Sequence, residues 1–411
     1  MKRIILLTAF FIAVLNTNGQ QHLNDYLETA ARNNPGIKAS FAKYMASLQR
    51  IDKTGNLPDP QIVFGYFIMP VETRNGPQIF KISATQMFPW FGLNNSKKDV
   101  ATQTAMATYQ EFEELKAKLF FDVRSTYFSL YFIKKSIEST IETLEILESL
   151  YDVATIKTKT GRSSTADMLR VEMEMADTKN SLERLKGVYE STVVKFSNLM
   201  DTTLNDGIIL PDTLWDSGLP VNKKALSDSI LSANHNIKRL EHMVEAFRRE
   251  EITARKSGGP VIITGIDYTN IGDNGISASA GTDALMLRVG ITIPIYRKKY
   301  NAMAEESIMM QESANNLKQQ NIITLNTVFN KSYEEYLDAD RRIKLYKQQA
   351  ERASAVLDIL RRGYETGKTD FEEVLRIERK LLFYKIKYHK ALADKQAAAA
   401  FISFLTGESI N

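Results

Sequence analysis

The segment Gly161–Glu172, GRSSTADMLRVE, recurs 206 residues later as Gly367–Glu378, GKTDFEEVLRIE. Each copy passes from glycine through a basic residue and a hydroxyl residue to Leu-Arg-aliphatic-Glu without a gap. A second pair, Phe88-Pro89-Trp90-Phe91 and Ile293-Pro294-Ile295-Tyr296, repeats at nearly the same separation. Similarity at a constant separation indicates a duplicated structural unit. We therefore interpret the chain as two copies of one unit.

The positions of proline indicate what each unit contains. None of the 10 prolines lies between residues 90 and 210, and none follows Pro294. Because proline breaks the interior of a helix, both proline-free stretches, of about 120 residues each, can hold long helices. Apolar and small residues recur there at alternating spacings of three and four, from Leu119 to Ala154 and from Ile322 to Tyr364. This sustained heptad pattern predicts supercoiled helices packed into a wall.

The repeat also gives the predicted order of elements: two strands, a very long helix, a tight glycine turn and a shorter return helix. Each repeat also has a further helix that leads back towards its strands, over about 23–53 in the first repeat and about 226–255 in the second. We predict the first repeat at 21–202, with strands at about 60–70 and 78–88, a long helix at about 95–159 and a return helix at 165–200. A linker is predicted at 203–221. The second repeat is predicted at 222–411, with strands at about 260–270 and 284–293, a long helix at about 298–365 and a return helix at 371–405.

The N-terminus has the pattern of a secretory signal. Lys2 and Arg3 precede an apolar stretch, Ile4–Leu15, of 12 residues, which is short for a membrane span. We predict a signal peptide over 1–20; the alternative is a membrane anchor. The protein is therefore expected to be exported.

Composition narrows the classes of function. The chain has no cysteine, which excludes disulfides, thiolate metal sites and lipid attachment at an N-terminal cysteine. Its net charge of +4 is small for 411 residues, and no basic run indicates a nucleic acid partner. The methionines and the four histidines do not form ligand pairs at helical spacing, and no nucleophile elbow, phosphate loop or zinc motif is present. We expect no enzyme activity, no cofactor and no bound metal.

The strand segments alternate in character. Leu285, Leu287 and Val289 alternate with Met286 and Arg288, a period of two that predicts a strand with one apolar face. Segments of about ten residues suit tilted membrane strands, and the alternative is a soluble hairpin packed on the helices. Aromatic residues and prolines at the junctions from strand to helix predict a belt at the membrane interface, formed by Phe88, Pro89, Trp90, Phe91, Pro294 and Tyr296. A closed barrel needs at least about eight strands, so several chains must share one; three would supply twelve.

The duplicated unit, the Phe88–Gly92 junction (FPWFG), the Tyr364–Gly367 turn (YETG) and the following Glu373-Val374-Leu375 resemble the TolC-type outer-membrane efflux proteins. Within that family, Val71–Trp90 is similar to the heavy-metal-efflux branch. The resemblance implies an α+β membrane protein: a homotrimer that shares a 12-stranded β-barrel in outer-membrane lipid, above an α-helical periplasmic tunnel. It also implies a periplasmic adaptor and an inner-membrane pump, of the RND type, as partners.

The resemblance assigns roles to the two turns. Asp167 and Tyr364 match positions of interhelical links that shut the periplasmic entrance, and Glu373 matches a pore carboxylate that favours cations. This sequence departs from the family's drug channel at Thr369, where a basic residue is expected and Lys368 is adjacent, and at Arg376, where a second acid is expected. The tips of the turns, Gly161, Arg162, Gly367 and Lys368, are expected to contact the adaptor. The alternative for Glu373 is a favourable interaction with the helix dipole; for Arg162 and Lys368 it is solubility of an exposed turn.

The expected function is that of a passive exit duct for metal cations or small toxic compounds. Two alternatives remain open from the sequence. One is the outer-membrane duct of type I protein secretion, and the other is a non-conducting periplasmic coiled-coil scaffold.

Overall fold

In the computed structural model the chain is described over residues 20–161, 164–204, 207–216, 218–219, 222–276 and 278–407. The predicted signal peptide, 1–20, lies outside these residues except for its last position, Gln20, which is helical. Two compact units are present. Of the described residues, unit 1 comprises those within 20–40, 113–235 and 322–407, and unit 2 comprises those within 41–112 and 236–321. Each unit takes residues from both sequence repeats, so the compact units differ from the repeats.

Helices dominate both units. The helices are α1 (20–33), α2 (Pro35–Gly55), α3 (Leu93–Lys159), α4 (Thr165–Met200), α5 (Lys223–Ala233), α6 (His235–Ser257), α7 (Arg297–Glu365) and α8 (Phe371–Leu405). The two long helices, α3 and α7, have 67 and 69 residues. Among the described helices, none combines the length and the apolar composition needed to cross a membrane.

The helix predicted at 23–53 is two helices, α1 and α2, and the helix predicted at 226–255 is likewise two, α5 and α6. Asn34 interrupts the first pair because its side-chain oxygen accepts hydrogen bonds from Gly36 N and Ile37 N at 2.9 and 3.2 Å, which caps the start of α2. Its amide also donates to the Leu199 carbonyl at 3.0 Å. In the second repeat, the Asn234 side-chain amide likewise donates to the Leu405 carbonyl at 3.1 Å. Each interruption thus satisfies a carbonyl at the end of a return helix.

Unit 2 contains one antiparallel sheet. Its strands are β1 (Gln61–Tyr66), β2 (Glu72–Thr73), β3 (Gly76–Phe88), β4 (Val261–Ile271) and β5 (Ala284–Thr292), in the order β1-β3-β4-β5, with β2 paired to β3. The strand predicted at 60–70 ends at Tyr66, and the short strand β2 was not predicted. The chain passes Pro70, which has no N–H to donate to a ladder, and turns back at Gly76, whose φ of +123° suits glycine.

Side chains from several elements fix the linker that was predicted at 203–221. Lys395, on α8, lies 2.7 Å from Asp216 and 2.9 Å from Asp340. The Tyr127 hydroxyl donates to the Ile209 carbonyl at 3.1 Å. The described part of the linker is therefore held against α3 and α8 within unit 1.

Candidate functional site

The ends of α3 and α7 have the same local geometry. Gly161 and Gly367 have φ of +71° and +77°, the left-handed conformation that terminates helices. At the second turn, Lys368 N donates to the Gly363 carbonyl at 2.8 Å. Ser164 then caps the start of α4 by accepting from Ala166 N, and Asp370 caps α8 by accepting from Glu372 N. Glycines and helix caps therefore border both turns of unit 1 in the same way, outside 162–163 of the first turn.

Tyr364 lies in a hydrophobic core beside the second turn. Its side chain is 4% exposed and packs on Phe371 with ring centroids 4.8 Å apart. Val374 and Leu375 belong to the same buried cluster. Lys157, in the last turn of α3, places its ammonium 4.0 Å from the centre of the Tyr364 ring and also donates to the Tyr364 carbonyl. The structure thus connects the ends of the two long helices through Lys157 and Tyr364.

Ion pairs connect the two return helices. Asp167, in the first turn of α4, places its Oδ1 3.4 Å from Arg170 Nη1 on the same helix. Arg170 Nε lies 3.7 Å from Glu372 Oε2 on α8. A second pair joins Arg379 Nε on α8 to Glu174 Oε2 on α4 at 3.1 Å. Since these side chains are partly exposed, each pair contributes at most about 1 kcal/mol. Their contribution to the stability of the α4–α8 contact is therefore small.

Glu373 and Arg376 are neighbours on α8. Arg376 Nη2 lies 3.3 Å from Glu373 Oε1, and both side chains are at least half exposed. The carboxylate that the resemblance assigns to a pore ring therefore has a basic partner one turn away. Lys368 is exposed, whereas Thr369 packs on Gly363, where an added Cβ would overlap the Thr369 hydroxyl.

A groove runs between the ends of α3 and α7. Its volume is 500 Å³, and Ile156 exposes most of its side chain there. Apolar and charged residues share the lining, which consists of Val153, Ile156, Lys157, Thr160, Glu365, Thr366 and Gly367. The described tips therefore have an indentation that a partner's side chains could enter.

Glu378 lies further along α8 and was not predicted as a functional residue. Its side chain is fully buried, and this burial raises the pKa of its carboxyl. The Thr143 hydroxyl and the more distant Lys385 and Arg361 offset the effect only in part, and Glu142 adds to it. Glu172, its counterpart in the first repeat, is exposed. Sequence similarity therefore did not distinguish the two positions.

The sheet of unit 2 has one strongly apolar face. Cross-strand pairing places Phe64, Ile82, Tyr268 and Leu285 in one row. Side chains on this face are exposed to a degree unusual for apolar residues, with Leu287 75% exposed. The exposed members are Ile62, Phe64, Tyr66, Ile82, Ile266, Leu285, Leu287, Val289 and Ile291. The opposite face contains Lys81, Ser83, Asp267 and Arg288.

Among the predicted aromatic belt residues, Phe88 is the last residue of β3 and the others lie just after β3 or β5. The rings of Trp90 and Phe91 are 5.6 Å apart, and both are exposed, as are Phe88 and Tyr296. Trp90 lies against Gly259, where a Cβ would be 2.5 Å from the indole. Pro89 and Pro294, at the same junctions, are half-buried.

The structure brings Tyr364, Lys368, Thr369, Glu373 and Arg376 together around one turn, with Asp167 and Gly161 at the other. Arg162 lies outside the described residues. Sequence patterns did not identify Lys157, Arg170 or Glu378 because each depends on packing between helices. In the described parts of the chain, no group of three or more His, Asp or Glu residues is arranged to hold a metal ion.

Comparison with known proteins gives one family match in sequence. The sequence model of the family described as outer membrane efflux protein matches residues 226–408, most of the second repeat. No curated protein matches the chain with significant sequence similarity.

Solved structures match nearly the whole chain. The outer-membrane channel OprN has a TM-score of 0.80 at 16% identity, covering 94% of this chain and 90% of its own. CusC, whose structures concern folding and the formation of a transmembrane channel, has a TM-score of 0.79 at 16% identity. The match covers 95% of this chain and 92% of CusC. The outer membrane protein VceC of Vibrio cholerae has a TM-score of 0.79 at 13% identity, with 95% and 98% covered.

These matches confirm the resemblance to outer-membrane efflux proteins, in sequence over the second repeat and in fold over nearly the whole chain. The predicted fold of the chain, with paired strands and long helices in a duplicated unit, is confirmed as well.

Proposed function

We propose that this protein is the outer-membrane channel of a tripartite efflux system. In this role it conducts substrate passively across the outer membrane and catalyses no reaction. The family match over 226–408 and the shared fold support the proposal.

The observation that carries the proposal is the exposed apolar face of the sheet. Burying one Leu, Ile or Val side chain stabilises a protein by about 1.5–3 kcal/mol, and nine large apolar side chains on this face remain exposed. A scaffold that packs its hairpins in water would bury such a face. A sheet with one apolar and one polar face is instead suited to a barrel wall, which has lipid on one side and water on the other.

A lipid-facing sheet cannot have open edges. β1 and β5 lie at the two ends of the strand order, so each has one edge that no other strand of the described residues pairs with. Unsatisfied backbone groups are costly in a bilayer, which contains no water to pair with them. Three copies that pair β5 of one with β1 of the next would form a closed barrel of twelve strands. We therefore propose a homotrimer in outer-membrane lipid.

The hairpin turns are proposed as the periplasmic entrance. The link between Lys157 and Tyr364 and the ion pair between Arg170 and Glu372 would keep the turns together, and Glu373 would line the opening. The tips at Gly161, Arg162, Gly367 and Lys368, with the groove between α3 and α7, would receive a periplasmic adaptor. The adaptor would connect the channel to an inner-membrane pump of the RND type, which supplies the energy.

The proposed cargo is small: metal cations or small toxic compounds. Type I protein secretion uses a duct of similar kind, and deletion of the gene for this chain distinguishes the two. Loss of tolerance to toxic solutes supports efflux, whereas loss of a secreted protein from the medium supports secretion.

The test of the channel is a comparison of two neighbouring residues on β5. Leu287→Lys places a charge on the apolar face, where it costs about 2–4 kcal/mol near the middle of a bilayer. Met286→Lys places the same charge on the polar face, directly opposite Asp267. We expect the Met286 variant to form detergent-extracted trimers that conduct ions in planar bilayers, and the Leu287 variant to fail at membrane assembly. A wild-type protein that is soluble without detergent, or equal behaviour of the two variants, would contradict the proposal.

A further inference from the structure

The polar face of the sheet holds all three charged residues of its four long strands. Lys81 is on β3, Asp267 on β4 and Arg288 on β5. They lie together rather than scattered: Lys81 Nζ is 3.4 Å from Asp267 Oδ2, and Arg288 Nη2 is 3.8 Å from Asp267 Oδ1. No other part of the described sheet combines charges in this way.

The three side chains differ in their access to solvent. The Asp267 side chain is 1% exposed, whereas those of Lys81 and Arg288 are 36% and 48% exposed. A buried carboxylate is tolerated when cations compensate it, and here two cations surround one acid. The cluster therefore carries a net charge of about +1, and its accessible part is basic.

The backbone is adapted to this arrangement. Arg288 Nη2 donates to Thr85 Oγ1 at 3.0 Å, so that the guanidinium lies across the sheet. Gly265 is paired with Arg288 in the register, and a Cβ there would be 3.2 Å from Nη2 and 3.4 Å from Nε. Any larger residue at 265 would displace the guanidinium. The glycine thus leaves the space that the cluster occupies.

We infer that Lys81 and Arg288, held by Asp267, form a basic girdle inside the proposed barrel that favours the passage of anions over cations. The inference rests on the proposed function, because only a closed barrel turns the polar face towards a water-filled interior. Three chains then place three net positive charges around one lumen. Rings of Arg and Lys side chains select anions in pores.

This girdle narrows the proposed cargo. It disfavours free metal cations as the cargo, and among small toxic compounds it favours those that are anionic. Asp267 acts as a positioning residue, since it is buried behind the two basic side chains and holds them in place.

The test uses substitutions that change the girdle's charge in opposite directions. Arg288→Gln lowers the net charge to about zero while Lys81 still compensates Asp267. Asp267→Asn raises it to about +2. The measurement is the reversal potential of detergent-purified trimers in planar bilayers under a salt gradient, from which the cation-to-anion permeability ratio follows.

We expect the cation-to-anion permeability ratio to rise in Arg288→Gln and to fall in Asp267→Asn. The change should be roughly two- to five-fold in each case, as for one screened charge near a permeating ion. Opposite shifts cannot come from general damage to the channel. The triple variant Lys81→Gln, Asp267→Asn, Arg288→Gln leaves no buried charge unpaired and should behave like Arg288→Gln, which keeps the test informative if Asp267→Asn does not assemble. Lys195→Gln, which removes an exposed charge from α4, is the matched control.

Trimers that conduct normally but have the wild-type permeability ratio in Arg288→Gln and in the triple variant would overturn the girdle while leaving the channel in place. A wild-type protein that neither forms trimers nor conducts would overturn the proposed function, and the girdle with it.

Discussion

Lys157 and Tyr364 lie 207 residues apart in sequence and in contact in the fold. The ammonium sits 4.0 Å from the ring centre, and the same nitrogen donates to the tyrosine's own carbonyl. One side chain at the end of α3 thus binds both the ring and the backbone at the end of α7. If the turns form the entrance of a channel, this contact restrains its opening.

Lys157→Met should loosen the entrance, because it keeps the length of the side chain and removes the charge. A cation–π contact of about 0.5–2 kcal/mol corresponds to a rise in open probability of roughly two- to thirty-fold. Single-channel recording measures it. Lys159→Met, which removes an exposed charge two residues away, is the control and should leave gating unchanged. Equal open probabilities in the wild type and the Lys157 variant would refute the restraint.

Phe371→Ala should destabilise the second hairpin turn, because it leaves a cavity beside Tyr364. Loss of a buried phenylalanine side chain costs about 3–5 kcal/mol. Hydrogen exchange over residues 364–378 in the assembled protein should become faster. Phe383→Ala, which removes a half-exposed ring from the same helix, should change exchange much less. The structural assignment fails if the two variants behave alike.

Glu378→Gln should stabilise the protein at neutral pH. Burial raises the pKa of Glu378 above its value in the unfolded chain, so the folded state binds more protons between those two pKa values. The free energy of unfolding therefore falls as the pH rises through that window. Above the folded-state pKa, the full cost of burying the ionised carboxylate is present. The glutamine variant lacks a buried charge and avoids a penalty of about 1–3 kcal/mol.

Thermal melting of Glu378→Gln and wild type at a series of pH values measures this effect. The gain in melting temperature should grow as the pH rises and vanish at acidic pH. Glu351→Gln, at an exposed site on α7, should give no gain at any pH. A pH-independent difference would mean that the effect comes from packing and not from ionisation.

Glu373→Gln should lower the cation-to-anion permeability ratio of the channel, and Arg376→Gln should raise it. Arg376 lies 3.3 Å from Glu373 and offsets part of its field, so its removal exposes more negative charge. Both effects should shrink in about 1 M salt, where the screening length is about 3 Å. If neither substitution changed the permeability ratio, Glu373 and Arg376 would make no contribution to ion selectivity.

Much of the fold could be predicted from local patterns. The absence of proline and the heptad spacing indicated the two long helices, and period-two alternation indicated the apolar strands. The interruptions at Asn34 and Asn234 were not predicted. Pro35, the first residue of α2, is a local signal for the first interruption. The contacts of the two asparagines with the Leu199 and Leu405 carbonyls could be found only in the fold.

In the candidate site, too, some features follow from local sequence and others depend on packing. The glycine turns followed from the repeat, since a left-handed residue after a helix needs glycine locally. The repeat could not assign different roles to Glu172 and Glu378, which occupy equivalent positions, because burial depends on the neighbouring helices. Nor could it predict that Tyr364 would be buried under Lys157.

By itself the sequence determined the duplication, the long helices, the glycine turns and the alternation of the strands, because each is a property of residues close together in the chain. Only the tertiary structure decided that Lys157 meets Tyr364 and that Asp267 lies between Lys81 and Arg288. Those contacts depend on helix packing and strand register, which bring together residues that no local pattern connects.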